Sequence, residues 1–200
     1  MSFHVVRFED VEPQPWKNGG GVARELLAWP SAIDWVLRLS VADVERHGPF
    51  SAFAGIDRWF AVLSGNGVRL GSPPKTVQRN DDAFHFDGAL APDCELVDGA
   101  TRDLNLMIRR DVASGWMKRV ETGIEFPVAD RVQSSSEGVE VISGVFTLGG
   151  CTLQISGLPD FCVEPMSLAW RSELGGSEPL RIVNRESLSP LFGFQCRLSK

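Results

Sequence analysis

Residues 60–67 read Phe-Ala-Val-Leu-Ser-Gly-Asn-Gly, and residues 139–146 read Val-Glu-Val-Ile-Ser-Gly-Val-Phe. Both segments contain an apolar run that ends in Ser-Gly, and the offset between them is 79 residues (144 − 65). After each segment come further short apolar runs separated by polar turns. Repetition at this spacing indicates an internal duplication. We therefore predict two units in tandem, formed by residues 1–112 and residues 113–200.

The sequence around the first segment alternates between apolar and polar residues with a period of two, which is typical of β-strands. Residues 35–41 place Trp, Leu, Leu and Val on one side and Val, Arg and Ser on the other, and residues 103–109 alternate in the same way. The 20 glycines and 12 prolines interrupt the chain at short intervals. We therefore predict an all-β protein made of sandwiches or small barrels. Asn66-Gly67, between two apolar runs, predicts a two-residue hairpin.

Composition and charge exclude several classes of function. The formal net charge is −6 and the isoelectric point is about 5.1. Binding to nucleic acids or to anionic membranes depends on clustered lysines and arginines, so we expect neither as a partner. The N-terminus lacks the pattern of a secretion leader, and the four cysteines are far apart in the sequence. We therefore expect a cytoplasmic protein with free thiols.

Residues 15–26, Pro-Trp-Lys-Asn-Gly-Gly-Gly-Val-Ala-Arg-Glu-Leu, resemble the HutD/Ves family, as do residues 48–51, 63–67 and 103–110. The resemblance implies a bicupin, with two tandem cupin-type jelly-roll barrels. It also implies an accessory or regulatory role in bacterial histidine utilisation. The family usually has Thr where this chain has Ala23, so ligand specificity here is expected to differ if that hydroxyl contacts the ligand.

The metal-binding pattern of cupins can be tested directly on this sequence. Most cupins use G-x5-H-x-H-x3/4-E-x6-G, and the spacing counted from Gly48 places Ala54, Ile56 and Phe60 at the ligand positions. None of these side chains can donate a lone pair to a metal. The chain has three histidines, which are isolated in the sequence: His4, His47 and His85. We therefore predict no metal and no other cofactor.

Two of the predicted strands have polar faces that are candidates for a ligand pocket. Arg38 and Ser40 share a face of one strand, and Asn105 and Met107 share a face of the other, while Arg58 begins a third strand. If these faces line the mouth of a barrel, the guanidinium groups can bind a carboxylate. The alternative is that they face solvent and that only the apolar faces form the core.

The glycine-rich segment supplies further candidate ligand-binding residues. Lys17 and Asn18 are expected to fold over the pocket, and Trp16 to form an apolar wall. Gly19 and Gly20 allow the backbone to approach a ligand closely. The alternative is that the glycines only form a tight turn.

Three further charged residues lie in or next to the segments that supply the candidate pocket. Glu25 is expected to orient one of the cations or to contact a ligand amine. Asp103 and Arg109 are expected at the rim or on the surface, where most charged residues lie.

The first functional hypothesis is a module that binds a small anionic metabolite, for which the resemblance implies an intermediate of histidine breakdown. A second hypothesis is a metal-independent isomerase or epimerase, with Glu25 as its acid or base. A third is a protein-interaction scaffold with a vestigial cup, which would depend on exposed aromatics such as Trp116 or Trp170. A homodimer is compatible with any of the three.

Overall fold

The protein is described by a computed structural model that covers residues 3–121, 125–126, 138–174, 180–184 and 189–199. Its strands, in chain order, are β1 (His4–Arg7), β2 (Gln14–Pro15), β3 (Gly21–Trp29), β4 (Leu37–Val44), β5 (Gly48–Pro49), β6 (Ile56–Ser64), β7 (Val68–Leu70), β8 (Lys75–Val77), β9 (Phe84–Asp87), β10 (Asp93–Leu96), β11 (Thr101–Arg109), β12 (Ala113–Arg119), β13 (Glu125–Phe126), β14 (Glu140–Thr147), β15 (Cys151–Ile155), β16 (Phe161–Val163), β17 (Ser167–Leu174), β18 (Leu180–Asn184) and β19 (Leu191–Leu198).

Helix is almost absent from the described residues. Two 3-10 turns of three residues each, Phe8–Asp10 and Gly88–Leu90, are the helical segments found there. No helix in this part of the chain has the length and apolar character needed to cross a bilayer. The prediction of an all-β protein is confirmed.

The chain forms two compact units, which we call the N unit (Val11–Asp111) and the C unit (Met1–Asp10 with Val112–Lys200). The sequence analysis placed the first ten residues with the first unit. In the structure β1 instead pairs antiparallel with β17, with Val5 opposite Ala169. A terminal strand adds to whichever sheet edge offers it hydrogen bonds, and the sequence pattern alone does not specify that edge.

The two units use the same order of strand pairing. In the N unit, the strands pair as β4-β11-β6-β9 and β5-β10-β7-β8, and β2 and β3 extend the first sheet. In the C unit, the strands pair as β12-β19-β14-β17 and β13-β18-β15-β16, and β1 extends the first sheet. Each strand of the N unit from β4 onward thus corresponds to the strand eight places later in the chain.

The core of the N unit lies between its two sheets. Val44, Phe60 and Val62 of the larger sheet pack with Val68 and Leu70 of the smaller one. The opposite face of the larger sheet is also buried, since the side chains of β6 from Arg58 to Leu63 are all buried. The alternation of apolar and polar residues therefore does not separate a core face from a solvent-exposed face in these strands.

The predicted hairpin at Asn66-Gly67 is wrong. The strands on either side, β6 and β7, belong to different sheets and do not pair with each other. Gly65 (φ 93°) and Gly67 (φ 103°) supply the positive φ angles of the connection. Asn66 donates its side-chain amide to the Asp98 carbonyl at 3.1 Å. The same residues that favour a hairpin thus form a link between sheets, because turn chemistry does not determine which strand is the partner.

The glycine of the repeated Ser-Gly pair has a packing role in both units. A Cβ atom at Gly65 would lie 2.6 Å from the Ala100 carbonyl oxygen, and one at Gly144 would lie 2.6 Å from the Ala169 carbonyl oxygen. Real Cβ atoms do not approach backbone oxygen this closely, so the glycine permits close packing of the neighbouring backbone in each case.

We predict that Gly144→Ala destabilises the protein by about 2 kcal/mol, because the methyl group must displace backbone in the middle of β14. This corresponds to a thermal midpoint about 4–8 °C lower for a chain of this size. The control is Gly157→Ala in an open turn, where only the positive φ of 79° opposes the substitution. Equal midpoints for the two variants, measured by differential scanning calorimetry, would contradict the packing role of Gly144.

Candidate functional site

A continuous set of polar side chains lies on the inner face of the larger sheet of the N unit. Glu25, Ser40 and Asn105 are directly opposite one another on β3, β4 and β11, and Asn105 is opposite the core residue Phe60. Directly opposed residues of antiparallel strands project from the same face. This first row of polar side chains therefore projects between the two sheets.

A second row lies next to the first on the same face. Arg38, Met107 and Arg58 are directly opposite one another on β4, β11 and β6. Each is two positions from a member of the first row, so it shares that residue's face. The structure thus brings together six of the residues selected from the sequence, which we call the N-unit cluster: Glu25, Arg38, Ser40, Arg58, Asn105 and Met107.

Arg58 is the centre of the N-unit cluster. Its side chain is deeply buried, with 5% of the residue exposed. It donates to the Asn105 side-chain oxygen at 3.1 Å and to the Ser51 carbonyl at 3.4 Å. Within the described residues its Nε atom has no hydrogen-bond partner. Its polar partners there are neutral, and an uncompensated buried cation is costly.

Aromatic rings surround the Arg58 guanidinium. Its central carbon is 5.1 Å from the Phe86 ring centroid, 5.2 Å from Phe50 and 5.6 Å from Phe53. Ring faces attract a cation but provide no counter-charge that could form a hydrogen bond. Sequence analysis missed these three phenylalanines. The Gly48-Pro49-Phe50-Ser51 string that matched the family was the available signal, but it did not indicate which side chains face the arginine.

The electrostatics of Arg58 follow from its surroundings. Burial, and then the neighbouring charge of Arg38, lowers the pKa of Arg58 to about 10. The side chain therefore stays protonated at neutral pH. An anion placed beside it would stabilise this charge.

Glu25 neutralises the second cation of the cluster. The Glu25 Oε2 atom lies 2.6 Å from Arg38 Nε, and both side chains are partly exposed. The guanidinium of Arg38 also lies 6.0 Å from the Trp35 ring centroid. With two guanidinium groups and one carboxylate, the N-unit cluster has a formal charge of +1.

The expectation that Asp103 lies at the rim or surface is wrong. Asp103 is completely buried on the inner face, opposite Val62 and Ala42. Thr101 donates its hydroxyl to Asp103 Oδ2 at 2.7 Å. Burial, with a smaller effect of the negative charge of Asp43, raises the pKa of Asp103 well above its usual range. Period-two patterning gave the correct face, but it did not show how deep in the barrel the residue lies.

Arg109 lies outside this buried interior. Its side chain is partly exposed and binds Asp111 and Asp34, each at 3.1 Å. This agrees with a surface position.

The glycine-rich segment forms a tight turn between β2 and β3. Gly19 donates its N–H to the Trp16 carbonyl at 3.0 Å, and Gly20 donates to the Asn18 side-chain oxygen at 3.0 Å. Lys17 and Asn18 are exposed, so both lie outside the buried part of the N-unit cluster. Trp16 is partly buried against the inner core and meets Phe50 edge to face at 6.4 Å.

The glycines of this turn have different structural roles. Gly19 has a φ of 68°, which favours glycine. A Cβ atom at Gly21 would overlap the carbonyl oxygen of Asp43. Ala23 lies two residues before Glu25 and opposite Ala42, on the inner face. A threonine at position 23 would therefore add a hydroxyl to the row next to Glu25.

The positions at which most cupins hold a metal have other environments here. Ile56 and Phe60 are buried, Phe60 within the core of the N unit, and Ala54 is exposed. In the described part of the chain, no three His, Cys, Asp or Glu side chains converge as metal ligands would. His47 accepts from the Leu96 N–H at 2.9 Å. The other two histidines stack on tryptophans: His85 on Trp59 at 4.5 Å and His4 on Trp170 at 4.6 Å.

The two tryptophans named for a scaffold role are not free surface aromatics. Trp116 is partly buried against the core of the C unit. Trp170 is also partly buried and stacks on His4. Their surroundings give no support for an exposed aromatic docking surface.

The HutD family model matches residues 8–144. An uncharacterised 21.2 kDa protein in the hutC 3′ region of Pseudomonas putida is 35% identical over 154 residues, covering 68% of this chain and 80% of that protein. Protein Ves of Cronobacter sakazakii is 31% identical over 192 residues, covering 90% and 94%.

Solved structures show the same fold. The conserved protein of unknown function PA5104 from Pseudomonas aeruginosa PAO1 superposes with a TM-score of 0.79 at 26% identity, with both chains fully covered. A mutant of the cupin oxalate decarboxylase from Bacillus subtilis superposes with a TM-score of 0.58 at 9% identity, covering 97% of this chain and 76% of that one. The chain therefore has a cupin-like β fold.

The buried carboxyl group predicts a specific pH dependence of stability. An unfolded Asp103 loses its proton near pH 4, whereas the folded residue keeps it to a higher pH. Between the two pKa values this group lowers the free energy of unfolding by about 1.4 kcal/mol per pH unit. Asp103→Asn cannot ionise and still accepts from Thr101. We therefore expect the variant to gain stability relative to the unmodified chain as the pH rises from 4 to 8.

Thermal midpoints at pH 4, 6 and 8 measure this effect, with the exposed Asp93→Asn as the control. If Asp103→Asn and Asp93→Asn change the midpoint equally at every pH, Asp103 is not a protonated interior group.

Proposed function

The chain belongs to the HutD family, and from this premise we propose that it is a metal-free bicupin whose N unit binds a small organic anion. We further propose that it acts in the cytoplasm as an accessory or regulatory protein of histidine utilisation. The role in histidine utilisation rests on the family and on a relative named for its position in the hutC 3′ region. The ligand class rests on the N-unit cluster.

The bicupin assignment is supported by the repeated order of strand pairing. In each unit, eight strands pair as two sets of four, and the order of pairing within the sets is the same in both units. The likeness to oxalate decarboxylase covers 97% of this chain, so it extends over both units. A tandem duplication of one jelly-roll unit accounts for both observations.

The observation on which the ligand class depends is the buried charge of Arg58. Within the described residues, its side chain is hydrogen-bonded only to the oxygens of Asn105 and Ser51, and Nε is unpartnered. Burying a guanidinium without a counter-charge costs several kcal/mol, and a carboxylate that reaches it offsets much of that cost. The planar donor fork of arginine fits the two oxygens of a carboxylate.

The remaining members of the cluster favour a carboxylate that also has a polar group. Ser40 is in the row next to Arg58 and can donate or accept a hydrogen bond. Glu25 can meet an amine or an N–H group while it holds Arg38. Urocanate, N-formimino-L-glutamate and N-formyl-L-glutamate have these features, and we select these three compounds because of the association with histidine utilisation.

The structure favours binding over catalysis as the role of Glu25. A general base needs a free carboxylate beside the substrate, whereas Glu25 is already engaged at 2.6 Å by Arg38. The cupin ligand positions Ala54, Ile56 and Phe60 support the metal-free part of the proposal, because none of these residues can coordinate a metal. Unchanged ligand binding after treatment with a chelator is the corresponding expectation.

Ligand-induced thermal stabilisation tests the proposal. The three candidate carboxylates are screened, and we expect at least one to raise the thermal midpoint by several degrees. We expect Arg58→Ala to abolish this rise, because it removes the buried charge that the carboxylate stabilises. The matched control is Arg69→Ala, at an exposed arginine on β7, which should retain the full rise.

Arg58→Lys keeps the charge but loses the planar fork, and we expect it to retain only part of the stabilisation. An unchanged rise in Arg58→Ala would remove Arg58 from the site. Stabilisation that disappears in chelator would overturn the metal-free part of the proposal.

A further inference from the structure

The C unit has its own row of polar side chains on the inner face of its larger sheet. Arg171, Ser143 and Gln195 are directly opposite one another on β17, β14 and β19. Two residues along β14 from Ser143 is Val145, which belongs to the core cluster between the sheets of the C unit. The row therefore projects into the interior of this unit.

These polar side chains are as deeply buried as those of the N unit. Arg171 is 2% exposed and Gln195 is 6% exposed. Glu173, two residues after Arg171, is mostly buried, and its Oε1 lies 3.2 Å from Arg171 Nη1. Apolar side chains at these positions would fill an interior at lower cost than an arginine and a glutamate. A buried ion pair at these positions therefore points to a role beyond filling space.

A second cation lies further along β19, on the same face as Gln195. Arg197 is two residues beyond Gln195, on the same face, and is opposite Val141 on β14. It is only partly buried. With Arg171, Glu173 and Arg197, the inner face has a formal charge of +1. The N-unit cluster contains the same residue types: two arginines, one glutamate, one carboxamide and one serine.

Some buried donors and acceptors of this inner face make no hydrogen bond within the described residues. In the described residues, Gln195 Nε2 donates no hydrogen bond, and the two carboxylate oxygens of Glu173 accept none of acceptable geometry. Buried polar groups in native proteins nearly always have partners. A ligand that offers a hydrogen-bond acceptor to the Gln195 amide and a donor to the Glu173 carboxylate would satisfy both groups.

Aromatic side chains flank the row at both ends. Trp116 is directly opposite Gln195 on β12, and Phe3 lies 5.3 Å from the guanidinium of Arg171. Both aromatic side chains are partly buried and pack against the core of the C unit. Apolar walls with a few convergent polar groups are typical of sites for small organic ligands and unlike sites for inorganic ions.

We propose that the C unit contains a second ligand site, formed by Ser143, Arg171, Glu173, Gln195 and Arg197. Its ligand is a small organic carboxylate that also carries an N–H donor. The carboxylate meets the Gln195 amide and the arginines, and the N–H group meets Glu173. The site lies within the C unit alone and shares no residue with the N-unit cluster, so it does not depend on the function proposed for that cluster.

Indole N–H signals distinguish the two sites in the full chain. Trp116 reports on the C unit and Trp16 on the N unit, and each signal is assigned by its Trp→Phe variant. The probe is N-acetylglycine, which has a carboxylate and one N–H, with its methyl ester as the uncharged control. We expect N-acetylglycine to shift the Trp116 signal in a saturable manner, and the methyl ester to leave it unchanged.

Substitutions at the second site then test the assignment. Arg197 is partly exposed, and Arg197→Gln keeps a long polar side chain there, so we expect the variant to fold. We expect its dissociation constant for N-acetylglycine to rise about tenfold or more. Gln195→Leu should have a similar effect. Arg58→Ala in the N unit should leave the Trp116 titration unchanged.

Three results would overturn the proposal. The first is a Trp116 signal that does not move at millimolar N-acetylglycine, which would make the Arg171–Glu173 pair purely structural. The second is a titration unaffected by both Arg197→Gln and Gln195→Leu. The third is a Trp116 shift that vanishes in Arg58→Ala, because the signal would then report on the N unit.

Discussion

The fold and the proposed site depend on one arginine that is buried without an acidic partner among the described residues of the chain. The Arg58 guanidinium lies inside the N unit, hydrogen-bonded to two neutral oxygens and surrounded by three phenylalanine rings. Because its solvation is lost and its charge is retained, the folded unit favours any anion that can enter. The fold provides the location: antiparallel pairing places Arg38, Met107 and Arg58 side by side on the inner face. The anion binding that we propose follows from the mismatch between this charge and its apolar surroundings.

Part of this arrangement could be predicted from the sequence. Period two in residues 35–41 and 103–109 correctly grouped Arg38 with Ser40 and Asn105 with Met107. Strand pairing then set them opposite one another, which a single sequence does not specify. Depth could not be predicted either: Asp103 has the pattern of a rim residue, yet it is completely buried. The phenylalanine walls were missed because Phe50 and Phe53 lie outside any alternating segment.

The glycine-rich segment carries the sequence motif that is typical of the family, but the motif alone does not reveal what its residues do. Residues 15–26 identify the family, but the turn within them uses its own polar groups: Gly19 and Gly20 donate within the turn, and Asn18 accepts. The requirement at Gly21 is steric, since a side chain there would overlap the backbone of Asp43. Much of the string is thus explained by packing of β3 against β4. The C unit shows the converse, because Arg171 and Gln195 form a buried row without any recognisable string.

The most direct test of the account is the Nε–H resonance of Arg58 in nitrogen-15 labelled protein, assigned by its loss in Arg58→Lys. We predict a signal that is protected from exchange with water near pH 7.5, where exposed arginines exchange rapidly. We also predict that this signal shifts progressively when N-formyl-L-glutamate or acetate is added. A signal that exchanges as fast as those of exposed arginines, and whose chemical shift does not change with either carboxylate, would show that the guanidinium is exposed to water and binds no anion. That result would contradict the central claim.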